Sequence, residues 1–435
     1  MSVTAKASNT QFSDANSDVN PDTDKNIGSN ANMAESGNEP GHLLNELRGR
    51  IDQVDNQLAQ LLEERAELVF AVGEYKRAHQ LPIYDPVREA EIKKRIRGLV
   101  KNSGTLSPAE LESLFMTLVE RFRYFEGLHL QHSIARSRFH QSHLNFNECQ
   151  NVVLCGFGLL GASFYLALHE LVPNWRFYVL DPKINRQDFL SWQLSHQFDN
   201  IELIEMKQFS LGQIFVLGAS VEINAAYLAE AEFPENSLVF DLGSTKTEMA
   251  KAFEKRKSKH GFTYIGGHPL AGKERSGFQN ADALLFYDKV FCWTKAANQA
   301  LDEKVKATVE IISLCLGAKA FWTTPEEHDL ALAWTSHLPQ ILSNVLARCL
   351  AQKEFAKSHE LFPRVISDFL RISGSTIAMW KPIIESNQAE LQRALAELIK
   401  TLSNVQVELV DATQLEALFT NANEFYKKFQ GLNKE

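Results

Sequence analysis

The sequence has no run of 18 or more apolar residues, so no membrane-spanning helix is expected. Its five cysteines, at 149, 155, 292, 315 and 349, include neither a Cys-x-x-Cys pair nor a metal-ligand spacing. That argues for reduced thiols and a cytoplasmic protein, and against a disulfide framework or a metal site. There is no basic excess: 45 Lys and Arg against 54 Asp and Glu give a formal net charge of −9. General nucleic-acid binding is thereby disfavoured, while a local basic pocket for an anionic metabolite stays open. The N-terminus lacks the apolar stretch of a secretory signal. Residues 1–41 have hardly any large apolar side chain to offset ordering entropy, so a disordered tail is expected there.

What is present begins at Leu43. Leu44, Leu47, Ile51, Val54, Leu58, Leu61, Leu68, Val72 and Tyr75 follow alternating three- and four-residue steps. This spacing predicts one long amphipathic helix with a coiled-coil-like seam, ending near His79 before Leu81-Pro82. Arg65 occupies a seam position. It either snorkels its head into water or is held inside by a neutralising anion. Asp85-Pro86 supplies an N-cap and first residue for a second helix. Ser107-Pro-Ala-Glu110 is a capping box that opens a third, running past Glu126. Such a thin unit buries its seam better as a dimer.

The stretch LRGRIDQVDNQLAQLLEERAELVFAVGEYKRAHQLPIYDPVREAEI, within residues 42–130, resembles the all-helical chorismate mutase family. The resemblance implies rearrangement of chorismate to prephenate without a cofactor, by electrostatic preorganisation around a dianion. It casts Arg65, Lys76 and Glu126 as catalytic and Arg48, Asp85, Arg88 and Glu89 as substrate-binding. Arg65 and Lys76 lie about 16 Å apart on one helix face, so their long side chains can converge. Arg48 lies roughly 42 Å from Lys76 along the same helix and must come from a second subunit to join them. An intertwined homodimer is therefore expected. Phe122 stands where the family often has a small hydroxyl residue, and Glu126 where it has glutamine or glutamate. A glutamate there donates to the substrate ether oxygen only when protonated, so mutase activity should rise toward mildly acidic pH. Residues 131–148 read as a polar helical extension and linker; the histidines at 129, 132, 140 and 143 show no metal pattern.

The next organised stretch is Val152 to Ser163, VVLCGFGLLGAS. An apolar strand is followed by Gly-x-Gly-x-x-Gly and then a helix. Gly156 permits the tight turn, Gly158 lets backbone approach a pyrophosphate, and Gly161 lets helix and strand pack closely. Phe157, Leu159 and Leu160 complete the loop. The helix N-terminus offers free N–H groups to phosphate. A second strand, Phe177 to Leu180, ends in Asp181, placed to hold a ribose diol. Dinucleotide binding follows, NAD ahead of NADP; Lys183 and Arg186 keep a 2′-phosphate open. Further strands are predicted at Ile214 to Leu217, Leu238 to Leu242, Thr263 to Ile265 and Val290 to Thr294. Two strand ends carry Asp241-Leu-Gly-Ser-Thr-Lys246 and Gly267-His-Pro-Leu-Ala-Gly-Lys-Glu-Arg-Ser-Gly277, where an open α/β sheet has its cleft. Past Thr323 the chain reads as helical throughout, with HDLALAWTSHLP beginning at His328.

Together GFGLLGAS, DLGSTK, HPLAGKERSG and HDLALAWTSHLP resemble the prephenate and arogenate dehydrogenase family over residues 150–425. The resemblance implies NAD-dependent oxidative decarboxylation of prephenate to 4-hydroxyphenylpyruvate. His268 would accept the ring hydroxyl proton, with Ser244 hydrogen-bonded to it. Arg371 would hold a substrate carboxylate, Ser336 and His337 would line the pocket, Trp380 would support it, and Glu274 would gate it. Gln340 stands where relatives often have histidine at the substrate side chain. It leaves open prephenate against arogenate, and inhibition by tyrosine. The expected architecture is multidomain: an all-α mutase domain at 42–130, an α/β Rossmann-like nucleotide-binding domain at 149–323, and an all-α dimerisation domain at 324–435. The function implied is a bifunctional enzyme of tyrosine biosynthesis. The alternatives are a mutase fused to an arogenate dehydrogenase, or a helical regulatory module that no longer catalyses.

Overall fold

A computed structural model describes residues 40–82, 84–99, 105–138, 149–256, 261–273, 275–295, 301–353 and 361–432. The tail expected at 1–41 lies almost wholly outside these, as do His140, His143 and Glu274. The chain divides into two compact units, residues 1–65 and 66–435.

Three helices come first: α1 (Pro40–Ala78), α2 (Pro86–Leu99) and α3 (Pro108–Arg138). Their starts follow the capping chemistry in the sequence. The Asp85 carboxylate accepts the Arg88 N–H at 2.9 Å. Ser107 Oγ accepts the Glu110 N–H at 3.2 Å while Glu110 accepts the Ser107 N–H at 2.8 Å. The apolar seam of α1, including Leu47, Ile51, Val54, Leu58, Leu68 and Val72, is solvent-exposed. Residues 131–138 are the last turns of α3, the helical extension expected ahead of the linker. No proline interrupts them, Ala135 is fully buried, and His132 Nε2 donates to the Cys315 carbonyl at 2.9 Å.

An eight-stranded sheet follows, in the order β3-β2-β1-β4-β5-β6-β7-β8. Its strands are β1 (Asn151–Cys155), β2 (Arg176–Leu180), β3 (Ile201–Leu203), β4 (Ile214–Leu217), β5 (Leu238–Asp241), β6 (Thr263–Pro269), β7 (Val290–Thr294) and β8 (Lys319–Thr323). All neighbours pair parallel except β6 and β7, which are antiparallel with His268 opposite Cys292. His268 thus lies inside a strand longer than the sequence suggested. The two strands the pattern did not announce sit at the sheet's edges. β3 has three residues, and β8 keeps much of its surface exposed, so neither carries a buried apolar run. Helices α4 (Leu159–Leu168), α5 (Arg186–Ser195), α6 (Val221–Glu230), α7 (Thr247–Glu254) and α8 (Glu303–Cys315) accompany the sheet. Separate apolar clusters form around Phe164, Phe240 and Trp293 and around Phe215, Met249 and Tyr264. The remainder is helical: α9 (Pro325–Leu332), α10 (Leu338–Ala351), α11 (Arg364–Leu370), α12 (Ile377–Ser386), α13 (Gln388–Glu408) and α14 (Ala412–Leu432). No described helix is long and apolar enough to cross a membrane.

Among the described residues, a Lys–Asp ion pair lies wholly inside. Lys246 Nζ donates to the Asp241 carboxylate and, at 2.6 Å, to the Gly267 carbonyl. Asp241 also accepts the Tyr264 hydroxyl at 2.8 Å and the N–H groups of Gly243 and Gly267 at 2.9 and 3.2 Å. The pair clasps the end of β5 to the middle of β6. Breaking a buried pair leaves a charge unpaired, so Lys246→Met should cost about 3–5 kcal/mol. Denaturant unfolding followed by tryptophan fluorescence should show a lower midpoint; an unchanged midpoint would contradict this.

Candidate active sites

The glycine loop joins β1 to α4. Gly156 has φ +97°, and a Cβ there would meet Ala219 N at 2.6 Å. Gly161 packs directly on the Gly156 carbonyl, whereas a Cβ at Gly158 would find nothing within 4 Å. The turn therefore needs its glycines and leaves the face at Gly158 open to a ligand. α4 begins at Leu159, so its unsatisfied N–H groups stand at this opening. Asp181 accepts the N–H of Phe157 at 2.9 Å and of Lys183 at 3.0 Å, which fixes its carboxylate at the loop. These residues fit a dinucleotide.

Beside the loop lies a cleft of about 950 Å³. It brings together Leu159, Leu160, Ser244, His268, Ser336, His337, Arg371 and Trp380, residues spread over more than two hundred positions. Between α9 and α10 the helix widens into a π-helical turn over Ala333–His337, which carries Ser336 and His337. Such turns recur at functional sites because the added residue re-aims side chains.

A buried chain of hydrogen bonds sets the chemistry. His268 Nδ1 contacts His328 Nε2 at 2.9 Å, and His328 Nδ1 contacts Asp329 Oδ1 at 2.8 Å. Asp329 further accepts the N–H groups of Lys246 and Thr247, each at 2.8 Å. Burial pushes Asp329 up, but the bonds from His328, Thr247 and Lys246 outweigh it, so the carboxyl lies below its ordinary range. An ionised Asp329 accepts from His328 Nδ1–H. With His328 Nδ1–H given to Asp329, its Nε2 accepts from His268 Nδ1–H. That tautomer leaves a lone pair on His268 Nε2, on a residue lining the cleft. Burial, then His328, Lys246 and His337, hold His268 well below the usual imidazole range, so it stays neutral.

His337 is the counterpart. Asn387 Nδ2 donates to the Asp329 carbonyl at 2.7 Å and to His337 Nδ1 at 3.2 Å. Nε2 therefore carries the proton of His337. Burial, partly opposed by Asp329, pushes its pKa down to about 4. Trp380 meets its ring edge-on at 5.9 Å. Two neutral histidines thus present opposite hydrogen-bonding faces, an acceptor at 268 and a donor at 337.

Three expected residues stand differently. Ser244 lines the cleft, but the hydrogen bond described for His268 is the one its Nδ1–H gives to His328. Gln340 is buried off the cleft; its amide donates to the Ile372 carbonyl at 2.9 Å and to Asn344 at 3.2 Å, bracing the turn that begins at Arg371. Glu274 falls outside the described residues. Sequence reasoning missed His328, Asp329 and Asn387. The first two sat in a quoted motif, whereas nothing local marks Asn387, which closes α12.

Among the mutase residues, Lys76 Nζ donates to Glu126 Oε1 at 2.9 Å, with Glu126 buried. Glu89 accepts from Arg123 at 2.6 Å, and Arg88 pairs with Glu91 at 2.9 Å on the exposed side of α2. Asp85 caps α2. On α1, Arg48 is exposed and Arg65 half-buried.

The fold and cleft define a nucleotide-binding oxidoreductase, preceded by a helical module. Comparison with known proteins adds the families. Residues 47–127 match chorismate mutase type II, residues 191–320 the nucleotide-binding domain of prephenate dehydrogenase, and residues 324–423 its dimerization domain. The T-protein of Haemophilus influenzae is 26% identical over 355 residues, covering 75% of this chain and 81% of that protein. The chorismate mutase of Methanocaldococcus jannaschii is 34% identical over 88 residues, covering 20% of this chain and 88% of that one. In fold, the prephenate dehydrogenase of Aquifex aeolicus, solved with hydroxyphenyl propionate and NAD+, matches with a TM-score of 0.55 at 23% identity, covering 65% of this chain and 98% of its own. The chain belongs to the chorismate mutase family at its helical end and to the prephenate dehydrogenase family beyond it, and so joins an isomerase to an oxidoreductase of tyrosine biosynthesis.

The depressed pKa of His268 predicts a pH profile. With His268 as the base, protonation would remove it, and because the folded value lies below the ordinary 6.5, protonation waits for more acidic solution. Dehydrogenase kcat/KM should hold steady down through pH 6.5 and fall only well below it. Half-loss at or above 6.5 would contradict the neutral chain.

Proposed function

We propose that the cleft takes prephenate, with NAD as the partner, and that both sites work in series from chorismate. The observation that carries this is the buried His268–His328–Asp329 chain, which ends on a cleft that also contains Arg371 and the first residues of α4. His268 Nε2 accepts the ring hydroxyl proton, and the ionised Asp329 at the far end of the chain favours the charge that forms. Arg371 holds a carboxylate through its planar fork. His337 donates from Nε2 to a second substrate oxygen. When bound, NAD supplies the acceptor for the hydride leaving the hydroxyl-bearing carbon; Gly156, Gly158, Gly161 and Asp181 would hold it. Loss of the ring carboxylate as CO2 and aromatisation supply the driving force.

The charge of the cleft supports prephenate over arogenate. Lys273, Arg275 and Arg371 line it, and none of its described lining residues is acidic. That suits a dianion better than a molecule bearing an added ammonium. At the mutase site, Arg48, Arg65, Lys76, Asp85, Arg88, Glu89 and Glu126 take the roles that the family pattern implies. The exposed seam of α1 supports a homodimer in which a partner covers it.

Purified protein given chorismate and NAD should form NADH after a lag, prephenate should give NADH without one, and arogenate should give none. His268→Asn should still consume chorismate, with the dehydrogenase step reduced about 10²–10⁴-fold. NADH from arogenate alone would replace the substrate assignment, and undiminished turnover in the variant would remove His268 from the chemistry.

A further inference from the structure

Glu126 of the mutase sits where α3 meets the nucleotide-binding domain. One residue pair before it, the Tyr124 hydroxyl donates to the Leu284 carbonyl at 2.8 Å, and the Tyr124 and Tyr287 ring centroids are 3.7 Å apart. One residue after it, a Cβ on Gly127 would run into the Tyr287 hydroxyl. Tyr287 is packed closely at Gly317 as well: a Cβ there would lie 2.8 Å from its ring and 2.9 Å from Leu128. Glu126 is packed as closely toward α1, where a Cβ on Gly73 would stand 3.0 Å from its Cγ. Its carboxylate meets Lys76 Nζ at 2.9 Å.

We propose that Tyr287, a residue of the dehydrogenase half, is a positioning residue for the mutase: seated in the notch at Gly127, it sets the height and rotation of α3 and so places the Glu126 carboxylate opposite Lys76. A helix moves as a rigid rod, so a displacement at Gly127 is passed whole to its neighbour Glu126. Catalysis by a preorganised group tolerates little of this; a misplacement of about 1 Å can cost on the order of 10²-fold. Burial pushes the Tyr287 phenol up to about 12, which keeps it a neutral hydroxyl in the notch at working pH. The inference rests on the placing of Glu126 in the mutase chemistry.

The test uses the full chain and reads both activities on one preparation, chorismate consumption for the mutase and NADH from supplied prephenate for the dehydrogenase. Gly127→Ala adds one methyl group. Helix propensity alone favours alanine by about 1 kcal/mol, so lost activity would report the contact with Tyr287. The expected result is a mutase kcat lower by about 10–100-fold, with the chorismate KM and dehydrogenase turnover little changed. Tyr287→Phe in the same chain removes the clashing oxygen and should restore most of the mutase rate. Glu126→Gln should matter much less in the Gly127→Ala background than alone. Full mutase activity in Gly127→Ala overturns the proposal, as does a loss that Tyr287→Phe fails to restore or a parallel fall of both activities. The placing of Glu126 fails separately, if Glu126→Gln alone changes neither the mutase rate nor its pH profile.

Discussion

A buried carboxylate with every strong partner supplied is the constraint on which the dehydrogenase site depends. Asp329 would be costly inside the protein without donors. Two come from backbone at the start of α7, at Lys246 and Thr247, and one from the neighbouring His328. Satisfying the carboxylate orients His328, and His328 orients His268. The Lys246 side chain reaches the other way, to Asp241 and the Gly267 carbonyl beside His268. His268 is therefore held from both ends by one short segment, DLGSTK, that also places Ser244 in the cleft.

Much of this was legible in the chain. The glycine turn could be read because a positive φ and a close backbone approach admit few residues, and the helix starts because Asp85-Pro86 and Ser107 with Glu110 are local capping chemistry. His268 and Arg371 were legible through their motifs. The tautomer chain was not, because it needs residues from β6 and α9 at hydrogen-bond distance, and sequence spacing is silent on that. Gln340 shows the same limit: its motif position suggested substrate, while folding turns it toward the Ile372 carbonyl. The edge strands β3 and β8 escaped notice because their stabilising partners lie far away in sequence.

The two chemistries ask different things of the protein. The mutase half requires charges arranged around a dianion and no proton transfer to a protein base. The dehydrogenase half requires one neutral base and one neutral donor, the roles proposed for the buried His268 and His337. The helix α3 belongs to both, carrying Glu126 in the first and packing its last turns beside α8 in the second. A rearrangement product that is the next step's substrate gives a reason for one chain to hold both sites. The shared helix gives the physical means by which the second half can support the first.

The central claim is that His268 rests as a neutral imidazole protonated on Nδ1. Its most direct test is nitrogen NMR of the protein labelled with 15N-histidine at neutral pH, the His268 signals being assigned by their absence in His268→Asn. The account predicts a protonated Nδ1 and an unprotonated Nε2. An imidazolium, or a neutral ring protonated on Nε2, would contradict it.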